Sequence, residues 1–159
     1  MNGTDMIGAS IVGGLAMAGQ WKKYASKESG VLELRRLCCT DESPKNSESY
    51  FISKMLMLLR KHTDAELVIS YADPTHGHSG VIYQASNFQR VGLTSPGKVI
   101  IHEGKVYHDH CIRAKYKGVL KPFAVKIKSA LDAGLATTEK RVGKIIYSYR
   151  LKPIQPHET

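Results

Sequence analysis

The sequence predicts a mixed α/β fold, because strand-like and helix-like segments alternate in its middle and hairpin-like segments flank them. Val31 to Cys39 reads as a strand, Ser43 to about His62 as an amphipathic helix, and Glu66 to Tyr71 as a short buried strand. That succession implies a right-handed parallel crossover. The 159 residues, 42% apolar and 23% charged, suit a chain with a core of its own and exclude a disordered or collagen-like one. No internal repeat and no Pro/Gly/Ser linker divides it, so a single domain over 1–159 is expected.

Each element has its own signal. Met6 to Ala18 alternates small and β-branched residues around Gly13 and Gly14, as a hairpin of two strands would. Within Val31 to Cys39, Leu32, Leu34 and Leu37 are apolar, and strand alternation sends Arg35 and Arg36 to opposite faces. One of them must then face core or chemistry, where a guanidinium needs an anionic partner. Ser43 followed by Pro44 is a helix start: a capping hydroxyl, then a proline whose missing N–H costs nothing. Phe51, Ile52, Met55, Leu56 and Leu59 share a face that Met57 and Leu58 widen, so this helix packs centrally against a sheet. Asp73 to Gly77 is a sharp loop, and Ser79 opens a second helix, SGVIYQASNFQR, with Val81, Ala85 and Phe88 on one face and Gly92 as its stop. Lys98 to His102 and Lys105 to Arg113 form a hairpin around Glu103 and Gly104. A helix from about Phe123 to Leu131 and a strand from Lys144 to Leu151 complete the order β-β-β-α-β-α-β-β-α-β.

The charge is segregated. Lysine and arginine number 23 against 14 acidic residues, a net +9. Twelve basic and three acidic residues lie between Lys105 and Lys152, so this segment carries the whole excess. Such crowding costs repulsion, and its usual reason is an anionic partner such as nucleic acid, with a solvated basic face as the plain alternative. The longest nearly uncharged stretch, Met6 to Gln20, is short, broken by four glycines, and preceded by Asp5 rather than a positive residue. It suits neither a membrane span nor a signal peptide, so a cytoplasmic protein is expected. Cys38, Cys39 and Cys111 form no CxxC pair and are expected as reduced thiols buried in strands.

Three clusters could carry chemistry. In a crossover of this kind the helix amino terminus lies at the carboxyl edge of the sheet, where its N–H groups suit a phosphate. Ser43, Lys45, Asn46 and Ser49 are therefore candidate cofactor-binding residues. The loop from Asp41 to Ser49 has no glycine, so a close backbone wrap is not expected, and simple capping is the alternative. Asp73 ends a parallel strand, and Tyr83 lies in the first turns of the next helix near the same edge; together they offer a general base and a general acid. Their alternatives are an Asx turn before Pro74 and a buried phenol with its hydroxyl satisfied. His76 and His78, with Asp73, resemble a metal-ligand set, and His108, Asp109, His110 and Cys111 form a second cluster with both histidines on one strand face. Neither has further ligands at a diagnostic interval, so exposed loop histidines are the expectation.

IYQASNF at 82 to 88, followed by Arg-Val-Gly, resembles the late strand and helix of GNAT acyltransferases, in which a glycine stands where Asn87 does here. More closely, LELRRL, PKNSES and SYADPTHGHSGVIYQASNF resemble the Mom DNA-modification proteins of bacteriophage Mu and its relatives, over roughly residues 31–92. The resemblance implies a GNAT-like fold, from which the sequence departs by starting at what would be the second strand, so that the first strand and the two helices that usually shape the acceptor site are expected to be absent. It implies conversion of the exocyclic amine of adenine in phage DNA to a carbamoylmethylated form, which hides the DNA from host restriction endonucleases. By position, the functional arginine would be Arg35 or Arg36, and the functional acid and phenol Asp73 and Tyr83, with Asn87 joining the cofactor set. The glycines of the GNAT pyrophosphate loop have no counterpart in Asp41 to Ser49, so the donor stays open between acetyl-CoA and another CoA or acyl donor; iron stays open too.

The expected partner is double-stranded phage DNA in the host cytoplasm, with no membrane; a homodimer is left open. Lys126, Lys128, Lys140 and Arg141 of the basic segment would grip it while the neutral middle carries the chemistry. A base inside a duplex would have to be flipped. Two other classes remain: a conventional N-acetyltransferase acting on a protein or small amine with acetyl-CoA, and a non-catalytic DNA-binding accessory.

Overall fold

The computed structural model describes residues 6–152, with His76 described by its backbone alone. In chain order the elements are β1 (Gly8–Gly13), β2 (Val31–Cys39), α1 (Ser47–His62), β3 (Leu67–Ala72), α2 (Val81–Ala85), β4 (Gln89–Leu93), β5 (Gly97–His102), β6 (Lys105–His108), β7 (Lys115–Tyr116), β8 (Val119–Leu120), α3 (Pro122–Asp132), β9 (Thr137–Arg141) and β10 (Ile145–Arg150). The fold is mixed α/β. It divides into two compact units: one runs to Leu93 and resumes at Ile145, and the other is Thr94–Lys144, inserted between β4 and β10.

The first unit is a five-stranded sheet in the order β1-β2-β3-β10-β4, in which β2 and β3 alone are parallel. The chain crosses between them through α1. Ile52, Met55, Leu56 and Leu59 recur at helical spacing and pack on Leu34, Val68, Ala72 and Tyr147 of the sheet. Met57 and Leu58 are half exposed, so the buried stripe is narrower than the sequence suggested. The opposite face buries Val31, Leu67 and Ile69 beneath Leu15, Trp21 and Tyr24.

Several expectations need correction. The amino-terminal hairpin does not form: β1 is a single strand, and after Gly13 the chain leaves the sheet to cover its far face. The reason lies in β2, which supplies the strand partner that a hairpin would have supplied. Ser43 does not cap α1. Its hydroxyl donates to the Ile7 carbonyl at 3.1 Å and lies 3.2 Å from the Thr40 hydroxyl, tying the loop to the edge of the sheet. The helix starts at Ser47, behind Asn46, whose left-handed φ of 68° turns the chain. Asparagine tolerates that conformation better than most residues.

The second helix is also shorter than expected. It ends at Ala85, where Asn87 at φ 62° and a bond from the Phe88 N–H to the Tyr83 carbonyl (2.9 Å) close it, and the chain continues as β4. Val81 and Ala85 face solvent; Ile82, Tyr83 and Phe88 point into the core. In a helix this short, the anchor is Phe88 in the turn beyond it.

In the second unit, β6-β5-β9 form a sheet on which Ile127 and Ala130 of α3 pack against Ile100. Here β6 stops at His108, and Asp109–Ile112 is a 3-10 turn in which Asp109 pairs with Arg113 at 2.6 Å. His108 and His110 therefore do not share a strand face. The ends of the unit are joined by Thr94 N–H to the Lys144 carbonyl and by Lys144 N–H to the Thr94 hydroxyl, both 2.9 Å. Eleven basic and four acidic residues give this unit +7 of the chain's +9.

Candidate functional site

Strands β2 and β3 are paired only from Val31↔Leu67 to Glu33↔Ile69. Beyond that point β2 continues along β1 to Cys39 and β3 along β10 to Ala72, so the two parallel strands part at their carboxyl ends. The buried Ser70 hydroxyl donates to the Leu34 carbonyl at 3.1 Å, at the fork. A gap at the carboxyl ends of parallel strands, followed by a helix amino terminus, is where open α/β sheets collect ligands. Sequence reasoning missed Ser70, whose only signal was a lone polar side chain in an otherwise apolar strand.

The arginines are placed by a bulge. Ile11 pairs with Arg36 and Val12 with Leu34, so Arg35 is an extra residue in β2. Leu34 and Leu37, three apart, consequently both pack toward α1. Arg35 and Arg36 are left together on the other side, both exposed, which corrects the expectation of opposite faces. The Arg35 guanidinium folds back to donate to the Gly14 carbonyl. Among the described residues the Arg36 guanidinium makes no hydrogen bond or ion pair, and it is the arginine available to a ligand.

Tyr83 lies on the α1 side. Its ring is 5.3 Å from that of Tyr147 and 5.7 Å from that of Phe88, and among the described residues its hydroxyl has no partner. Tyr147, 1% exposed, donates its hydroxyl to the Ser79 carbonyl at 2.7 Å and accepts from the Gln84 amide at 3.1 Å. It thereby ties the loop before α2 to β10 and sets the position of Tyr83. Asp73 caps a 3-10 turn, Pro74–His76, accepting from the Thr75 N–H at 3.0 Å and the Thr75 hydroxyl at 2.5 Å. The Asx turn is thus present, and it holds the carboxylate at the end of β3.

Across the sheet from Tyr83, Tyr71 receives a bond from Gln20 at 3.0 Å. Burial first, then the Tyr24 phenol beside it, pushes the Tyr71 phenol well above its ordinary value. The predicted arginines and the predicted tyrosine therefore lie on opposite faces of the sheet.

The cofactor candidates separate into two places. Lys45, Asn46 and Ser49 lie at the start of α1; Lys45 and Asn46 are exposed, no side chain caps the helix, and the Ser49 hydroxyl is turned back to the Asn46 carbonyl at 3.0 Å. Asn87 instead lines a groove of about 710 Å³ with Lys23, Tyr24, Gln89, Ser148 and Arg150, on the face away from α1. His78 is exposed. Among the described residues no three of His, Cys, Asp and Glu come together, so they build no metal site; the side chain of His76 lies outside them.

The pattern of the Mom protein family matches residues 2–155, across both units. The chain belongs to the Mom protein family. It is 33% identical over 121 residues to the Methylcarbamoylase mom of Escherichia phage Mu, a match that covers 74% of this chain and 49% of that protein. The chain thus spans about half the length of the curated relative it matches.

In this Mom-family chain the basic candidates all fall in the second unit. Lys126 and Lys128 are exposed on α3, with Lys128 paired to Asp132 at 2.8 Å. Lys140 of β9 stands directly opposite Lys98 of β5. Like charges facing each other across a sheet are destabilising on their own. Arg141 is half-buried, and its Nε has no partner among the described residues. The cysteines are free but not uniformly buried: Cys38 is exposed, a consequence of the bulge earlier in β2. Burial, then Glu48 and Cys38, pushes the Cys39 thiol up, which disfavours the thiolate. No helix among the described residues is long and apolar enough to cross a membrane.

Proposed function

We propose that this Mom-family protein modifies adenine in double-stranded DNA, converting its exocyclic amine to a carbamoylmethylated form, and so protects phage DNA from restriction endonucleases in a host cytoplasm. The observation that carries this reading is the family match over both units, together with its relative's name, a methylcarbamoylase of a phage. The fold supports a GNAT-type enzyme: one parallel strand pair, joined by α1 and parted at its carboxyl ends, with a strand later in the chain inserted beside it.

The amine of an extruded adenine attacks a carbamoylmethyl donor lying in the gap between β2 and β3, at the methylene carbon next to the carboxamide, so that the N–C bond forms as the bond from that carbon to the leaving group breaks. Asp73 accepts the proton that the amine sheds, Tyr83 gives its phenolic proton to the departing group, and Arg36 holds the negative charge that develops. The unpartnered hydroxyl of Tyr83 and the unpaired guanidinium of Arg36, among the described residues, support those roles. The start of α1 suits a phosphate-bearing donor: its amides are not capped by a side chain, Asn46 provides the left-handed turn that a glycine would, and Lys45 is an exposed cation. Glu48 in the first turn works against a second anion there.

The test is protection. Plasmid from cells making the protein should resist endonucleases whose sites contain adenine, and plasmid from cells making Tyr83→Phe should be cut. Equal cutting in the presence of soluble wild-type protein overturns the proposal.

A further inference from the structure

The short β7–β8 hairpin has a feature the reaction above does not use. Lys115 pairs with Leu120 and Tyr116 with Val119, across a two-residue turn of Lys117 and Gly118 at φ 49° and 84°. Two consecutive left-handed residues make the tight turn that matches strand twist, so the tip is sharply defined. Directly paired at that tip, the Tyr116 and Val119 side chains are 63% and 66% exposed. Lys115, Lys117 and Lys121 surround them, all exposed, and no carboxylate occurs from Ala114 to Lys121. The Lys117 ammonium sits 5.6 Å from the centre of the Tyr116 ring, steadying the ring and keeping a cation beside it.

An exposed aromatic–aliphatic pair with a rim of cations matches a partner whose apolar surface is flanked by anions. Stacked bases between phosphate backbones have that arrangement. The rest of the unit favours the same partner, with its +7 charge and the Lys98–Lys140 pair, whose repulsion an anion would relieve. We propose that the β7–β8 hairpin is a wedge that enters the DNA duplex and stacks Tyr116, backed by Val119, between the bases of a step it unstacks. This inference rests on the reading of the substrate as adenine in duplex DNA.

The experiment uses the protein with a duplex carrying 2-aminopurine at adenine positions, whose fluorescence rises when the base is unstacked, alongside duplex binding by anisotropy and nucleoside analysis of cellular DNA. Wild type should brighten the duplex. Tyr116→Ala should bind it within about twofold of wild type, since the lysines that meet the phosphates remain, but should lose most of the brightening and about tenfold or more of the modification, as stacking on one ring predicts. Tyr116→Phe should keep both, because the ring and not its hydroxyl does the work, and Val119→Ala should fall between. Both positions are exposed, so truncation spares the core. Brightening by Tyr116→Ala equal to wild type, or none by wild type, overturns the wedge. So does tighter Tyr116-dependent binding to phosphatidylserine vesicles than to duplex. Brightening that depends on Tyr116 while wild type leaves cellular adenine unmodified would sink the substrate reading and leave the wedge standing.

Discussion

Gly80→Ala perturbs the packing that positions the Asp73–Gly80 loop and, through it, Tyr83. Gly80 has a left-handed φ of 80°, which costs a residue with a side chain about 1–2 kcal/mol. A β-carbon there would lie 2.6 Å from Cζ and 2.8 Å from the hydroxyl oxygen of Tyr147. That ring cannot step aside readily, because it is 1% exposed and its hydroxyl is held by both Ser79 and Gln84. Overpacking of this kind costs a further ~1–3 kcal/mol. The sum, about 2–5 kcal/mol, corresponds in a chain of this length to a fall in Tm of roughly 5–15 °C. Thermal unfolding followed by circular dichroism reads it. The double variant Gly80→Ala/Tyr147→Leu separates the two contributions: with the ring removed, the alanine should cost only its backbone part, about 1–2 kcal/mol. A Gly80→Ala protein within about 0.5 kcal/mol of wild type would refute the packing argument.

Three other outcomes follow from the same structure. Asn46→Val forces a β-branched residue into φ 68° at the start of α1 and should destabilise by about 1–2 kcal/mol in urea unfolding, whereas Asn46→Gly should be nearly neutral; equal effects would mean that the turn is not held left-handed. Changing Lys126, Lys128, Lys140 and Arg141 to Gln should flatten the plot of log K against log salt for duplex binding by about 3.6, at roughly 0.9 for each phosphate no longer neutralised, and an unchanged slope would remove these residues from the DNA surface. Tyr71 holds its proton more tightly folded than unfolded, so its stabilising effect is whole below the ordinary phenol value of about 10 and is lost as pH rises beyond it. Wild type should therefore lose stability above that pH more steeply than Tyr71→Phe, and identical profiles would contradict the linkage.

What could be read from the sequence was local and periodic. The bounds of β2 and the central face of α1 follow from apolar spacing alone, and α3 and β10 fall within a residue or two of their expected ends. The misses are places where a distant partner decides. Gly13-Gly14 looks like a hairpin turn until β2 takes the pairing. Val81 and Ala85 look buried until Phe88 turns the short helix around. The bulge at Arg35 is the most instructive, because two adjacent arginines in a strand read as alternating, and nothing in LELRRL announces the extra residue that puts both on one side. β4 and β9 were missed because their side chains are mostly exposed and carry no apolar alternation. Charge was legible as a quantity and nearly as a place: the basic run from Lys105 overlaps an inserted unit whose own limits, Thr94 and Lys144, are marked by backbone pairing and not by composition. Asp73 and Tyr83 were reached from strand-end position, whereas Tyr147, which fixes Tyr83, sits far along the chain and becomes visible only in three dimensions.

The most direct measurement is the mass of the adenine nucleosides in DNA from cells that make the protein. Wild type should yield an adenine nucleoside heavier by a carbamoylmethyl group, and Tyr83→Phe and Arg36→Ala, both folded, should yield little or none. Only unmodified adenine, recovered alongside soluble and folded wild-type protein, would contradict the account.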